Sequence, residues 1–323
     1  MTKSCLNARV VRTALSMICG AAALPAASQQ LYFNDVFLPT FETGNIRRVN
    51  TTGAGLTQLV DTGGGLRGLA LDLPAKKMYW ADVNNLVIRR SNLDGSGQED
   101  LINLPGGKEP AFPSAVAVDG SGGKLYWGDQ TLGTMNRANL DGSDPEVLFN
   151  TAFHRGLAID EVNGKMYWST SISQWKGEIW RANLDGTDQE AVVTSLDSEF
   201  KPNKIALDIA GGMIYWTDYV VDIVRRSTLS GTGIQTLFVP PFNRNPQGIA
   251  LDLDAGRVYW GQDLEIEGHT GKIMSAGLNG SNPQDFLGGF GHVTEIVFAP
   301  VPEPATFVVL GIGLLAVIHR RRR

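Results

Sequence analysis

Short apolar runs that end in aspartate recur along the chain in one frame: Gly68-Leu69-Ala70-Leu71-Asp72, Ala115-Val116-Ala117-Val118-Asp119, Gly156-Leu157-Ala158-Ile159-Asp160, Lys204-Ile205-Ala206-Leu207-Asp208 and Gly248-Ile249-Ala250-Leu251-Asp252. Near-continuous hydrophobicity over so few residues predicts strands buried on both faces. After each run come a Gly- or Lys-containing turn and a second apolar strand built on an aromatic pair. These are Tyr79-Trp80-Ala81-Asp82, Tyr126-Trp127-Gly128-Asp129, Tyr167-Trp168-Ser169-Thr170, Tyr215-Trp216-Thr217-Asp218 and Tyr259-Trp260-Gly261-Gln262, with Tyr32-Phe33-Asn34-Asp35 a weaker copy. Adjacent strand residues point to opposite faces, so each pair fills the space on both sides of its sheet. A third strand ends in a tight turn: Asn92-Leu93-Asp94-Gly95, Asn139-Leu140-Asp141-Gly142 and Asn183-Leu184-Asp185-Gly186, with looser versions at Thr228-Leu229-Ser230-Gly231 and Gly277-Leu278-Asn279-Gly280. Asp-Gly and Asn-Gly suit the positive backbone angles of such hairpins. An outer strand such as Gln98 to Asn103 brings each copy to four.

Six of the seven tyrosines hold the same slot, 41 to 48 residues apart. A period in the forties with one aromatic pair per copy is the mark of a propeller blade. The predicted fold is all-β, a six-bladed β-propeller over residues 29–300. The first copy has no inner strand of its own, whereas Gly291-His292-Val293-Thr294-Glu295-Ile296-Val297-Phe298-Ala299 matches an inner strand and has no aromatic partner strand. This segment is expected to complete blade one and to seal the ring without a covalent bond, leaving no open sheet edge.

The aromatic strands resemble the YWTD motif, the class B repeat of the low-density lipoprotein receptor family, over about residues 31–299. Blade five reads Tyr215-Trp216-Thr217-Asp218 in full. The resemblance implies that the motif aspartates brace neighbouring blades through backbone hydrogen bonds, a role that passes to Asp35, Asp82, Asp129 and Asp218. Thr170 and Gln262 stand in their place in blades four and six, which puts bracing there in doubt. The disulfide-rich modules that flank the receptor propellers are absent, so receptor-type endocytosis does not carry over. The implied role is that of a scaffold that binds protein.

Both ends read as addresses. Residues 1–28 have a basic start, an apolar run from Ala14 to Leu24 and the small-residue stretch Pro25-Ala26-Ala27-Ser28, the pattern of a secretory signal cleaved after Ser28. A short membrane anchor is the alternative. In the tail, residues 301–323, Pro302-Glu303-Pro304 precedes twelve apolar residues, Phe307 to Ile318, then His319 and four arginines. At about 1.5 Å per residue that helix would span about 18 Å, short of the roughly 30 Å hydrocarbon core. The length suits transient insertion, with the arginines on the cytoplasmic side. The three parts in order resemble the PEP-CTERM sorting signal of bacteria. The resemblance implies recognition by an exosortase, cleavage near the motif and passage from the inner membrane to the surface or extracellular matrix of a Gram-negative cell, in association with exopolysaccharide. A plain C-terminal anchor is the other reading.

Charge narrows the partners. The chain carries 28 Lys and Arg against 33 Asp and Glu, net −5; without Lys3, Arg9, Arg12 and Arg320 to Arg323 the balance is 21 against 33. So acidic a body repels nucleic acid and anionic membranes. The two cysteines, Cys5 and Cys19, both lie in the leader, so the exported body needs no disulfide, which favours a bacterial envelope or extracellular protein.

Candidate chemistry lies where the blades differ. The residues opening the inner strands are Arg67, Ser114, Arg155, Asn203, Gln247 and Thr294, with His154, Lys204 and Glu295 alongside. They are expected to ring one mouth of the central channel, where two arginines among polar groups suit a carboxylate or phosphate; a merely solvated rim is the alternative. The step from motif aromatic to third-strand apolar residue is 8 in blades two, three and five, but 13, 11 and 13 in blades one, four and six. These longer loops carry Phe37, Phe41 and Trp175 beside Asp263, Glu265, Glu267 and His269, a plausible partner surface unless the aromatics pack on themselves. The repeated aspartates at 72, 119, 160, 208 and 252 read as structural, since one per blade at one slot is a fold signature. The body has three histidines, His154, His269 and His292, and no Ser-His-Asp set emerges by spacing. A calcium-dependent lactonase, also a six-bladed propeller, would need several oxygen ligands in the channel; Asn203 and Glu295 are the two nominees. The expectation is therefore a non-catalytic protein- or glycan-binding propeller with no cofactor and no metal, the channel-mouth hydrolase being the rival.

Overall fold

The computed structural model describes residues 29–37, 43–63, 65–108, 110–194, 200–218, 220–240, 245–263 and 271–300. Among these the fold is all-β: six four-stranded antiparallel sheets arranged as a six-bladed propeller. Blade one holds β1 (Gln30–Phe37), β2 (Thr43–Asn50) and β3 (Thr57–Asp61). Blade two is β4 to β7 (Leu66–Asp72, Lys77–Asp82, Val87–Asn92, Glu99–Asn103). Blade three is β8 to β11 (Pro113–Asp119, Lys124–Asp129, Thr134–Asn139, Glu146–Asn150), and blade four is β12 to β15 (Phe153–Asp160, Lys165–Ser171, Gly177–Asn183, Glu190–Val193). Blade five is β16 to β19 (Pro202–Asp208, Met213–Asp218, Ile223–Thr228, Gln235–Phe238), and blade six is β20 to β23 (Pro246–Asp252, Arg257–Gln262, Gly271–Gly277, Gln284–Phe290). The last strand, β24 (Ile296–Ala299), pairs antiparallel with β1, from Gln30 opposite Ala299 to Phe33 opposite Ile296. Blade one is thus completed by the C-terminal strand, as expected. The pairing is narrower than the expected segment; residues 291–295 form a strap that meets β1 through a bridge between Val36 and His292.

The core lies in the seams between blades, and it follows one rule. The tyrosine of each blade shares a cluster with the motif aromatic of the next: Tyr32 with Trp80, Tyr79 with Trp127, Tyr126 with Trp168, Tyr167 with Trp216, Tyr215 with Trp260, and Tyr259 with Phe33 across the closure. The five motif tryptophans are all buried. At about 25 cal/mol per Å2 of apolar surface, burial of such large side chains is the main favourable term at each seam.

Two further devices reinforce the packing. An arginine on the third strand sits opposite the tyrosine in blades one to five: Arg48, Arg90, Arg137, Arg181 and Arg226. In blades two to five it donates to the leucine carbonyl in the next blade's turn: Arg90 to Leu140 at 2.7 Å, Arg137 to Leu184 at 3.1 Å, Arg181 to Leu229 at 3.4 Å and Arg226 to Leu278 at 2.9 Å. In blade six the position is Ser275, opposite Tyr259. In blades two to six the glycine of the turn also presses on the preceding blade. Gly231 has φ +80°, and a Cβ there would lie 1.8 Å from the Val192 carbonyl oxygen of β15. Gly231→Ala should therefore cost roughly 2–4 kcal/mol, read as a lower urea midpoint with an unchanged slope. Gly233→Ala, at φ +66° with nothing within 4 Å, should cost only its backbone strain, about 1 kcal/mol; equal losses would show that the seam contact is not what matters.

Candidate ligand site at the channel mouth

In each sheet the inner strand is terminal, so one of its edges is unpaired. All six of these edges converge on a central cavity of about 280 Å3, which is also lined by Arg155, Lys204 and Glu295. Every inner strand starts on one face of the ring, the face that also carries the loops between second and third strands. At those starts the regular ladder breaks. The register slips between Arg67 and Ala70, Pro113 and Ala115, Phe153 and Leu157, Pro202 and Ile205, and Pro246 and Ile249. Ser114, Arg155, Asn203, Lys204 and Gln247 fall inside these bulges and Arg67 borders one. A bulge re-aims side chains that the two-residue alternation would otherwise send into the seams.

Lys204 is the centre of the arrangement. Its ammonium, carried by blade five, donates to the Glu295 carboxylate of the closing strap at 2.5 Å and to the Ser114 carbonyl of blade three at 3.1 Å. One buried side chain thus ties three blades across the axis. Burial pulls the Lys204 amine down despite Glu295, with Arg155 and Arg67 acting the same way. Burial pushes the Glu295 carboxyl up against the opposing pull of Lys204. Burial first and Arg155 second lower the Arg67 guanidinium to about 10. Arg67 also donates to the Leu66 carbonyl at 3.0 Å and lies 5.8 Å from the centre of the Phe112 ring. Lys201 is lowered by burial and by Arg155 as well. Arg155 thus acts on Arg67, Lys201 and Lys204, and the Glu295 carboxylate acts on Lys204.

The other nominated residues divide. Asn203 and Gln247 are buried and joined, the Asn203 amide donating to Gln247 Oε1 at 3.1 Å, while Asn203 Oδ1 and Thr294 Oγ1 are buried without a partner. Trp175 is 54% exposed and Ile172 57% exposed on the blade-four loop. That loop is fixed to the mouth. Phe200 N–H donates to the Trp175 carbonyl at 3.1 Å, and Lys201 Nζ donates to the Gln174 carbonyl at 3.4 Å. Phe37 ends β1, but its side chain, like that of His154, is outside the described set; Phe41, Glu265, Glu267 and His269 lie outside the described residues. So do the leader and Pro302, Glu303 and Pro304 of the tail; among the described residues no helix is long and apolar enough to cross a membrane.

Three of the four motif aspartates hold backbone amides of the segments that lead into their own blades. Asp129 accepts from Phe112 N–H at 3.0 Å and Asp218 from Lys201 N–H at 3.3 Å, while Asp35 accepts from Gly291 N–H at 2.8 Å and pairs with Arg47 at 2.7 Å. Asp82 accepts from Asn85 N–H at 3.0 Å within its own blade. Thr170 exchanges hydrogen bonds with the backbone of Glu178. Beside Gln262, Asp263 contacts His292 Nδ1 at 2.6 Å and accepts from Val293 N–H at 3.3 Å. Sequence reasoning missed Asp263 as a brace because it stands one place beyond the motif slot. It missed the arginine clasps because their repeat lies in the third strand, away from the aromatic frame; the register opposite each tyrosine is the signal that finds them.

Comparison with known proteins agrees with this architecture. Residues 300–323 match the PEP-CTERM protein-sorting motif. Low-density lipoprotein receptor-related protein 1 of Pyricularia oryzae is 32% identical over 87 residues, 26% of this chain and 28% of that protein; the chain thus matches about a quarter of that relative's length. A chain of the nidogen/laminin complex superimposes with a TM-score of 0.69 at 19% identity, covering 85% of this chain and 99% of that one. TolB from Acinetobacter baumannii gives 0.66 at 13% identity, over 84% and 67% of the two chains. The protein is thus a six-bladed β-propeller with a C-terminal PEP-CTERM motif, which marks it as an exosortase-sorted surface protein.

The buried pair generates a stability prediction. Lys204→Met leaves Glu295 buried without its cation and should destabilise by about 3–5 kcal/mol, whereas Lys204→Met with Glu295→Leu should recover most of the loss. The sign with pH follows from linkage. A carboxyl raised above its ordinary 4.5 binds a proton in the folded state where the unfolded state has released it, so stability falls as pH rises from 4.5 through the raised value. The single variant should therefore be weaker at pH 8 than at pH 5, measured by urea unfolding at both; a pH-independent deficit would remove Glu295 as its cause.

Proposed function

We propose that the propeller is a non-catalytic binding module displayed at the cell surface, and that it takes its partner on the face bearing the channel mouth and the strand 2–3 loops. The observation that carries this reading is Trp175. A large indole is half exposed on a loop that hydrogen bonds clamp to the segment bearing Lys201 and Lys204. Rigid exposed aromatics beside charged groups are the usual anchors of recognition surfaces. Passage through the inner membrane, release by an exosortase and residence in the exopolysaccharide matrix complete the proposal, with residues 1–28 as the leader, 29–300 as the working domain and 301–323 as the sorting signal.

The lactonase alternative has less chemical support. Glu295, one of its two nominated ligands, is bonded to Lys204, and the neighbouring arginines make the mouth cationic, whereas calcium takes cages of anionic and carbonyl oxygens.

Two measurements test the proposal. Mass spectrometry of the protein from its own cells, fraction by fraction, should find a chain beginning near Gln29 and ending near Pro304 outside the inner membrane; a chain ending at Arg323 in that membrane would make the tail an anchor. Trp175→Ala should release the protein from washed cell surfaces severalfold more readily while leaving its thermal midpoint within a few degrees; unchanged retention would remove this face as the contact.

A further inference from the structure

Blade three breaks a rule that the other blades keep on their third strands. The residue opposite the motif aromatic is Arg47, Arg89 and Arg225 in blades one, two and five. Each of these arginines pairs with its own blade's motif aspartate: Arg47 with Asp35 at 2.7 Å, Arg89 with Asp82 at 3.5 Å and Arg225 with Asp218 at 3.7 Å. Blades four and six carry no motif aspartate, and there the slot holds a long neutral side chain, Trp180 or Met274. Blade three has its aspartate, Asp129, but the slot holds Asn136. That short amide turns back on its own hairpin, donating to Thr134 Oγ1 at 2.9 Å and to the Trp127 carbonyl at 3.3 Å. Asp129 is buried and accepts from the Phe112 and Leu132 amides. Of the four motif aspartates it is the one without an arginine partner among the described residues. There the seam between blades two and three opens into a cavity of about 250 Å3, bordered by Trp127, Asp129, Asn136 and Leu104.

We infer that this cavity is a socket for an arginine side chain of a partner polypeptide, its guanidinium on the Asp129 carboxylate and its plane against the Trp127 indole. The same slot takes an arginine three times within this chain, and in blade five Arg225 also lies 5.7 Å from the centre of the Phe200 ring. A guanidinium is planar, forks onto a carboxylate and stacks on aromatic faces, which an ammonium does less well. The rim points to a polypeptide. Leu132 and Val147 border the cavity and are 39% and 58% exposed, so apolar neighbours of the arginine have surface to cover, whereas a free polyamine does not. The net charge of −5 favours a basic partner. Leu132 lies between β9 and β10, which puts the rim on the face of the strand 2–3 loops. The socket uses none of the channel-mouth residues and stands or falls apart from Trp175.

The test is calorimetric titration of the protein purified from its own cells with a capped pentapeptide that carries arginine between leucine and valine. Its lysine and citrulline versions, acetylarginine amide and spermidine are the comparisons. The arginine peptide should bind at least roughly tenfold tighter than the citrulline peptide and severalfold tighter than the lysine peptide, and added salt should weaken it. Acetylarginine amide and spermidine should both bind more weakly than the arginine peptide. Asn136→Arg supplies the guanidinium from within the chain; it should abolish binding and raise the thermal midpoint by about 1–4 °C. Asn136→Met, which copies blade six, should abolish binding too and keeps the test decisive should Asn136→Arg fail to fold. Val147→Ser should weaken the peptide severalfold and leave acetylarginine amide unchanged. Equal binding of the arginine and citrulline peptides would overturn the inference, as would peptide affinity unchanged in both Asn136 variants. Spermidine binding as tightly as the arginine peptide, and blocked by Asn136→Met, would replace the polypeptide with a free polyamine.

Discussion

Packing of each blade's tyrosine against the next blade's motif aromatic is the interaction on which the remainder of the molecule depends. A four-stranded sheet is too small to bury either of its faces alone, so no blade has a core except the one it shares with its neighbours. Placing Tyr and Trp side by side on one strand sends one ring into each seam. From blade two to blade six the arginine clasps and turn glycines act on the same seams from outside, so three independent contacts set those blades' angles.

The seam between blades six and one is built differently. Ser275 occupies the position that holds an arginine in the other five blades, and Phe33 replaces tryptophan, packing edge-on to Phe290 at 4.9 Å. What closes the ring instead is the strap of residues 291–295, gripped from both sides. Asp35 of blade one holds Gly291, and Asp263 of blade six holds His292 and Val293. The strap then delivers Glu295 to the axis, where Lys204 binds it. Closure and mouth are therefore one construction: the segment that seals the ring also supplies the carboxylate at its centre.

The repeat made the fold legible because propeller geometry is periodic. The tyrosine frame gave the number of blades, and the missing inner strand of the first copy gave the closure. The mouth was legible only as a set of positions. That Arg67, Arg155, Asn203 and Gln247 open inner strands can be read from alignment of the copies, but their directions depend on bulges, and a bulge leaves no period behind it. Sequence offered a ring of equals, whereas the structure separates a buried Asn203–Gln247 bridge from a cationic group organised by Lys204. That Lys204 spans blades five, one and three follows from the ring's diameter, which no local pattern encodes.

The same asymmetry explains how a repetitive scaffold carries an individual site. Five of the inner strands share an apolar run ending in Asp, whose side chain caps the following turn, as Asp72 does for Ala75 N–H at 3.0 Å and Asp160 for Asn163 N–H at 3.0 Å. These aspartates hold the opposite ends of the strands from the mouth, so the fold is fixed there and the bulged ends are free to differ. Divergent residues cluster where the seams impose least, at the axis and on the loops beside it. Gathering Arg155, Lys204 and Glu295 at the axis lies outside the apolar seams and costs desolvation of each charge; what offsets that cost is the pair of Lys204 bonds that tie blade five to the strap and to blade three.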